Sequence, residues 1–353
     1  MPLITAELMI PRLIHRIFRK ECTEMSDQQH YLKLLAQMGG RRIAVIGDVM
    51  LDKFLTGNID RLSAEAPIPI VDIVEETYQL GGAANVANNL SALGDLPILF
   101  SVVGDDENGE RLRSLIGKNS HCEHFIFSDS SRCTTTKMRT FAQGRQISRA
   151  DFENRTPIAE ILSSKIIKSF SESVESLSGV IIEDYNKGLL TEPFIHEVLK
   201  IAKESGLKVL VDPKFDNFFA YEGVTLFKPN LRELAEATSM KVSNIYEIRR
   251  AAQDLKKRLK CENVMVTMGK DGVGLLDSSE SFHTLPAFVR IVNDPAGAGD
   301  TVISVMASAI ASGSSVKDAM TVANYGGGII CEKVGIQTVS LEELQASIMR
   351  NGV

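Results

Sequence analysis

Apolar and polar positions along this chain fall into two registers. Short runs rich in β-branched residues end in glycine or a polar residue, and longer segments of helical period lie between them. The first clear run, Arg42-Ile43-Ala44-Val45-Ile46-Gly47, is continuous enough to be a parallel strand buried on both faces. Gly81-Gly82 opens a helical segment over 83–93 that Gly94 closes, and 97–103 is the next strand. Strands at 179–183, 208–211, 225–228 and 264–267 each end in a small, polar or charged turn, and a helix over 191–204 follows the first of them. Ligands of open α/β sheets bind beyond the carboxyl ends of the strands, so these turns are expected to face one crevice.

Two stretches break the alternation. Residues 54–74 are extended but contain Pro67 and Pro69, which a central strand does not tolerate. Residues 120–152 alternate polar and apolar positions around Phe125-Ile126-Phe127 and 134–141. Both predict a small β lid. The expected architecture is one α/β domain over 41–349, a central mostly parallel sheet flanked by helices, with the lid formed from about 54–74 and 120–152. Residues 1–40 read as a peripheral N-terminal extension. Within it, Arg12, His15, Arg16, Arg19 and Lys20 lie between apolar positions, so a surface or targeting helix also fits residues 1–24. A secretory signal does not fit, because basic residues interrupt every candidate apolar core.

Composition narrows the function. A chain of 353 residues, 44% hydrophobic, can bury a large core. A net charge of −6 argues against a broad nucleic-acid surface, and the absence of Trp argues against stacking platforms for single strands. No apolar run reaches the roughly 18–20 residues of a membrane span. The five cysteines are scattered, which fits reduced thiols in a cytoplasm. His121-Cys122-Glu123-His124 has metal-ligating residue types, but no second cluster follows it, and it reads as a polar loop.

The chemistry concentrates in Asp294-Pro295-Ala296-Gly297-Ala298-Gly299-Asp300-Thr301, ahead of the apolar stretch 302–311. Small residues at a helix start leave backbone N–H groups bare at its positive end, an anion hole for a transferring phosphoryl group. Asp300 there is placed either to take a proton from an attacking hydroxyl or to serve as an ordinary N-cap. Thr267-Met268-Gly269-Lys270-Asp271-Gly272 supplies a second glycine turn at a strand end. Asn230 and Glu233 share one helix face, which suits water-mediated Mg²⁺ binding and equally suits a common helix start. Asp48 and Asp52 flank the end of the first strand, and Gly81, Gly82 and Asn85 could meet sugar hydroxyls. Lys137, Arg139, Arg145 and Arg149 have equal parity, so a regular strand would point all four one way. They read either as a clamp for an anionic substrate or as a charged edge strand.

These motifs, in this order, resemble the ribokinase / phosphofructokinase-B family over roughly 41–349: Gly47-Asp48 to Asp52, Gly81-Gly82-Ala83-Ala84-Asn85-Val86-Ala87, Pro229-Asn230-Leu231-Arg232-Glu233, and Gly297-Ala298-Gly299-Asp300-Thr301. The resemblance implies a ribokinase-like fold and an ATP- and Mg²⁺-dependent sugar kinase. It makes Asp300 the base, Gly297, Ala298 and Gly299 the anion hole, and Asn230 and Glu233 the metal-and-phosphate pair. Thr267, Gly269, Gly272, Asn324 and Lys187 fall to the nucleotide. Asp48, Asp52, Gly81, Gly82, Asn85, Lys137, Arg139 and Arg149 fall to the sugar. A homodimer through the lid is also implied. Within the family the chain is most similar to kinases of D-glycero-D-manno-heptose 7-phosphate, by Arg61-Leu62-Ser63-Ala64-Glu65-Ala66-Pro67-Ile68-Pro69, Asp184-Tyr185-Asn186-Lys187-Gly188 and Asp212-Pro213-Lys214. The chain ends about a dozen residues after the last family element, which is expected of a stand-alone kinase. One departure stands out: Pro295-Ala296 replaces the usual Thr before the glycine run, beside Asp294, the family's side-chain ligand for a monovalent cation such as K⁺.

Overall fold

The computed structural model describes residues 27–118, 122–288 and 294–351. The chain runs through helix α1 (27–35), strands β1 (Arg42–Gly47), β2 (Val49–Leu62) and β3 (Pro69–Gly82), then α2 (Ala83–Ala92), β4 (Leu96–Gly104) and α3 (Glu107–Lys118). It continues with β5 (Glu123–Asp129), β6 (Thr136–Ala142), β7 (Arg145–Phe152), α4 (Glu160–Ser173), β8 (Gly179–Glu183), α5 (Glu192–Glu204), β9 (Val209–Asp212) and β10 (Leu226–Phe227). The last elements are α6 (Leu231–Thr238), α7 (Ile245–Leu259), β11 (Asn263–Thr267), β12 (Val273–Leu276), β13 (Phe282–Leu285), α8 (Ala298–Ala311), α9 (Val316–Cys331) and α10 (Leu341–Asn351).

Nine strands form the main sheet in the order β13-β12-β11-β10-β9-β8-β1-β4-β5. Pairing is parallel from β11 across to β5, and the β12–β13 edge is antiparallel. Strand β1 shows why such runs read as continuous apolar stretches. Ile43 and Val45 enter the core under α2, α8, α9 and α10, while Ala44 and Ile46 enter the opposite core under α4 to α7. From β1 the chain turns first to β4 on one side and later to β8 on the other. That reversal opens a crevice at the carboxyl ends of β1 and β8.

A separate four-stranded sheet, β3-β2-β6-β7, is the lid. It is wider than expected at its base, because β2 begins at Val49 and β3 runs back to Gly82. The expected lid segment 120–152 is only partly right. Strand β5 pairs with β4 at the edge of the main sheet, where Phe125 stacks on Phe100 at 5.3 Å. A polar-alternating edge strand has the same pattern as a lid strand, so pattern alone could not separate them.

The boundary at residue 40 also shifts. Leu34, Leu35 and Met38 are buried in the main core, so the stretch from residue 27 packs as part of the domain. Residues 1–26, with the basic positions noted above, lie outside the described residues. Among the described residues no helix is long and apolar enough to cross a membrane.

Candidate active site

Helix α8 starts from Gly297, whose φ of 77° is left-handed, and no side chain caps it. Asp300 is therefore not the N-cap. Its carboxylate, only 5% exposed, is held from two sides. Oδ2 accepts from Asn85 Nδ2 at 2.7 Å, and Oδ1 accepts from the Tyr185 hydroxyl at 3.0 Å. Asn89 Nδ2 donates to Asn85 Oδ1 at 3.3 Å, and the Thr301 hydroxyl donates to Asn89 Oδ1 at 2.9 Å. This buried chain fixes the plane of the carboxylate. Gly297 sits so close to it that a Cβ there would lie 3.1 Å from Asn85 Nδ2.

Burial is the largest influence on Asp300 and pushes its carboxyl up to about 6. The Asn85 amide and Tyr185 hydroxyl pull it down, while the Asp212 charge adds to the rise. Such a group is mostly ionised near neutral pH and still basic enough to take a proton. The Ala298 N–H donates to Pro295 O at 3.2 Å. The N–H groups of Gly299 and Asp300, which helix geometry leaves without intrahelical partners, are then the donors this helix start could offer an anion.

A cavity of about 580 Å³ leads away from Asp300. Asn230 and Glu233 line its wall, as do Thr267, Gly269, Gly272 and Asn324. The sequence-predicted nucleotide residues thus come together, with one exception. Lys187 is not on this wall: its ammonium pairs with Glu153 after β7, and its N–H donates to Asp48 at 3.1 Å. Residue type alone carries no sign of which wall a lysine faces, and this one lies with Glu153 and Asp48 instead of on the cavity wall.

Both readings of Asn230 and Glu233 hold at once. They form a reciprocal capping box, with Asn230 N donating to Glu233 Oε2 and Glu233 N donating to Asn230 Oδ1, each at 2.9 Å. Glu233 Oε1 accepts from Lys214 Nζ at 2.7 Å. Burial opposes the Lys214 charge, but the Glu233 carboxylate outweighs it and holds the ammonium above the usual lysine range. Nearby, the carboxylates of Glu183, Asp212 and Asp300 lie within 4.8 Å of one another. Lys228 Nζ compensates Asp212 at 2.8 Å, while Glu183 Oε2 is buried with no hydrogen-bond partner. Burial, with Asp212 and Asp300 beside it, pushes the Glu183 carboxyl well up. A carboxyl pushed well up is largely neutral, so the cluster holds little spare charge, and the hard oxygens of Glu233 and Asn230 on the cavity wall are the ones that fit a Mg²⁺ ion accompanying phosphates.

On the lid side, Asp52 is 2% exposed and forms an ion pair with Arg139. Gly81 makes room for it, since a Cβ there would lie 2.1 Å from Asp52 Oδ2. Asp48 Oδ2 accepts from the backbone N–H groups of Tyr185 and Lys187, so it orders the β8 turn. Gly82, at φ 58°, passes against Asp48 O and the Tyr185 ring. Lys137 and Arg139 share a face with Arg149, which pairs directly across from Arg139. Arg149 is committed to Asp151 at 2.9 Å. Arg145 is a correction: the register shift after Thr140 sets it opposite Ala142, on the other face. Lys137 lies 5.1 Å from the Tyr185 ring and interacts with Asp52 and Asp300. Asp294 accepts from Ala296 N at 2.9 Å and from Gly335 N at 3.3 Å.

Tyr185, Glu183, Asp212, Lys214 and Lys228 were not singled out for a role in the sequence. Each is one polar residue at or just after a strand end, and that position was the available signal.

Comparison with known proteins agrees with this geometry. The family model described as pfkB family carbohydrate kinase matches residues 41–344. The chain is 37% identical over 326 residues to the bifunctional protein HldE of Paramagnetospirillum magneticum, covering 92% of this chain and 67% of that one. It is 36% identical to the bifunctional protein HldE of Syntrophotalea carbinolica, covering 93% and 67%. The chain thus spans about two thirds of the length of these relatives. Its fold matches Escherichia coli phosphofructokinase-2 in complex with potassium with a TM-score of 0.72 at 18% identity, covering 89% of this chain and 99% of that one. It matches Arabidopsis thaliana ribokinase complexed with ribose and ATP with a TM-score of 0.68 at 17% identity, covering 88% and 98%. The chain belongs to the pfkB family of carbohydrate kinases, phosphotransferases with an alcohol group as acceptor, and has their ribokinase-like fold.

Proposed function

We propose that the protein transfers the γ-phosphoryl of ATP to the anomeric hydroxyl of D-glycero-D-manno-heptose 7-phosphate, giving the 1,7-bisphosphate used toward ADP-heptose and lipopolysaccharide. The observation that carries the kinase chemistry is the doubly held Asp300 carboxylate between the cavity of about 580 Å³ and the lid. Asp300 takes the hydroxyl proton as that oxygen attacks phosphorus; the bond to the β–γ bridging oxygen breaks and ADP leaves. The N–H groups of Gly299 and Asp300 face the charge that develops on the phosphoryl oxygens. Magnesium, when bound, neutralises phosphate charge; Glu233 would hold it through water beside Asn230. A monovalent cation at Asp294 would share its carboxylate with the two backbone amides already there.

The heptose reading rests on the sequence likeness over 61–69, 184–188 and 212–214. A coupled ADP-release assay across heptose 7-phosphate, fructose 6-phosphate and nucleosides tests it. Preference for another acceptor gives the same chemistry a different substrate, and ATP binding without turnover on any acceptor points to a regulator instead.

The second charge of such a substrate needs a cation on the lid side. Arg139 and Arg149 are both paired, which leaves Lys137: it feels the charges of Asp52 and Asp300 but makes no close ion pair with either among the described residues. Lys137→Met is expected to raise KM for the phosphosugar about ten- to a hundredfold, the value of one charge-assisted bond. KM for ATP stays within about threefold. Equal losses on the sugar lacking its 7-phosphate would assign Lys137 to the reacting end.

The lid also exposes Leu62, Ile68, Ile73, Val74, Ile147 and Phe152. Apolar residues gathered on one small sheet support a homodimer through the lid. Light scattering is expected to give a dimer mass, and Val74→Glu with Ile73→Glu to shift it to monomer. A wild-type monomer sinks the proposal.

A further inference from the structure

Both oxygens of Glu233 are engaged by the protein. Oε2 holds Asn230 N at 2.9 Å and Oε1 holds Lys214 Nζ at 2.7 Å. Each oxygen keeps a lone pair for a metal-bound water, but a divalent cation placed there repels the Lys214 ammonium on Oε1. The two lysines on this wall differ in freedom. Lys228 is buried to 3% at its side chain and fixed on Asp212, directly behind Gly299. The Lys214 side chain is 35% exposed and lines the cavity. Its ammonium also faces an aromatic ring while it holds Glu233. It lies 5.3 Å from the centroid of the Tyr185 ring, and the hydroxyl of that ring is 3.0 Å from the base. Lys214 thus lines the same cavity as Asp300 and faces the tyrosine whose hydroxyl holds that carboxylate.

We infer that Lys214 is an exchangeable cation: it holds Glu233 while the cleft is empty and moves to the transferring phosphoryl group when nucleotide enters. Without nucleotide, Lys214 compensates Glu233. With nucleotide, the metal takes that place and Lys214 is released toward oxygens that gain charge in the transition state. The inference rests on the kinase reading of the cleft and not on the identity of the sugar.

Lys214→Met tests it, with whichever sugar the wild-type protein phosphorylates. We expect kcat to fall about thirtyfold or more, with KM for the sugar within about threefold. The decisive readout is binding rather than turnover. Calorimetric titration with a non-hydrolysable ATP analogue should show metal-free binding weakened about tenfold in the variant. The Mg²⁺ concentration that half-saturates the analogue complex should fall about threefold, because Glu233 is already free. Lys214→Gln, which can still donate to Glu233, guards against misfolding and should show the same kcat loss without the gain in Mg²⁺ affinity. A kcat within threefold of wild type, or a raised Mg²⁺ requirement in Lys214→Met, overturns the exchange and makes Lys214 a fixed support for Glu233. Failure of wild-type turnover on every sugar would instead count against the kinase reading, and the binding arm would still decide the role of Lys214.

Discussion

Asp300→Asn is expected to fold, to bind ATP and to lose about 10²–10⁴-fold in kcat, the usual contribution of a positioned base. The carboxylate is buried, held at both oxygens, and not used as a helix cap. The wild-type acid limb of kcat/KM should fall near pH 6, where burial places this carboxyl, and activity should decline below it as the base protonates. The fold control follows from linkage. A carboxyl whose folded value is raised favours the folded state fully below its unfolded value of about 4, and that contribution is lost as pH rises through about 6. At pH 8 the charged base thus costs on the order of 3 kcal/mol, so the neutral amide should leave Tm equal to or above wild type. Retention of more than about a tenth of wild-type kcat would move the base to another group. A Tm lowered at pH 8 would show that the carboxylate stabilises the fold.

Arg139→Ala should destabilise the protein by about 3–5 kcal/mol, the cost of leaving one member of a buried ion pair alone. Asp52 is 2% exposed and Arg139 is its ion-pair partner, seated on the neighbouring lid strand. The guanidinium is therefore committed to the fold of the lid rather than free to grip a substrate phosphate. Urea denaturation should recover most of the loss in the double variant Asp52→Asn, Arg139→Ala, because the stranded charge is gone. KM should rise similarly for sugars with and without a distal phosphate. A stable Arg139→Ala protein that fails only on the phosphorylated sugar would restore Arg139 as a phosphate clamp.

Much of this architecture is written in local chemistry. Strand β8 matches its apolar run residue for residue, because a strand buried on both faces leaves no polar position to blur its ends. The start of helix α8 was legible because a left-handed turn there calls for glycine, and that start carries the proposed anion hole and base. What escaped were relations between distant strand ends. Nothing in Asp184-Tyr185-Asn186 says that the phenol reaches a carboxylate 115 residues later. Nothing in Asp212-Pro213-Lys214 says that its ammonium lands on Glu233. The equal parity of Lys137, Arg139, Arg145 and Arg149 failed at Arg145 because a register shift interrupts β7, and such irregularities leave no reliable trace in residue type.

The lid is not an appendage joined by a linker. Strand β2 leaves the body directly after Asp48, and β3 returns through Gly82 straight into α2, where Asn85 holds the base. Val49 pairs with Gly82 and Ala83 N donates to Asp48 O at 3.0 Å, so the ribbon is closed at its root. Exchanging the lid as a module would therefore disturb the orientation of Asp300 along with acceptor recognition. New acceptors are accessible to this scaffold mainly by substitution within the ribbon or by changing the turn over 63–68 at its far end.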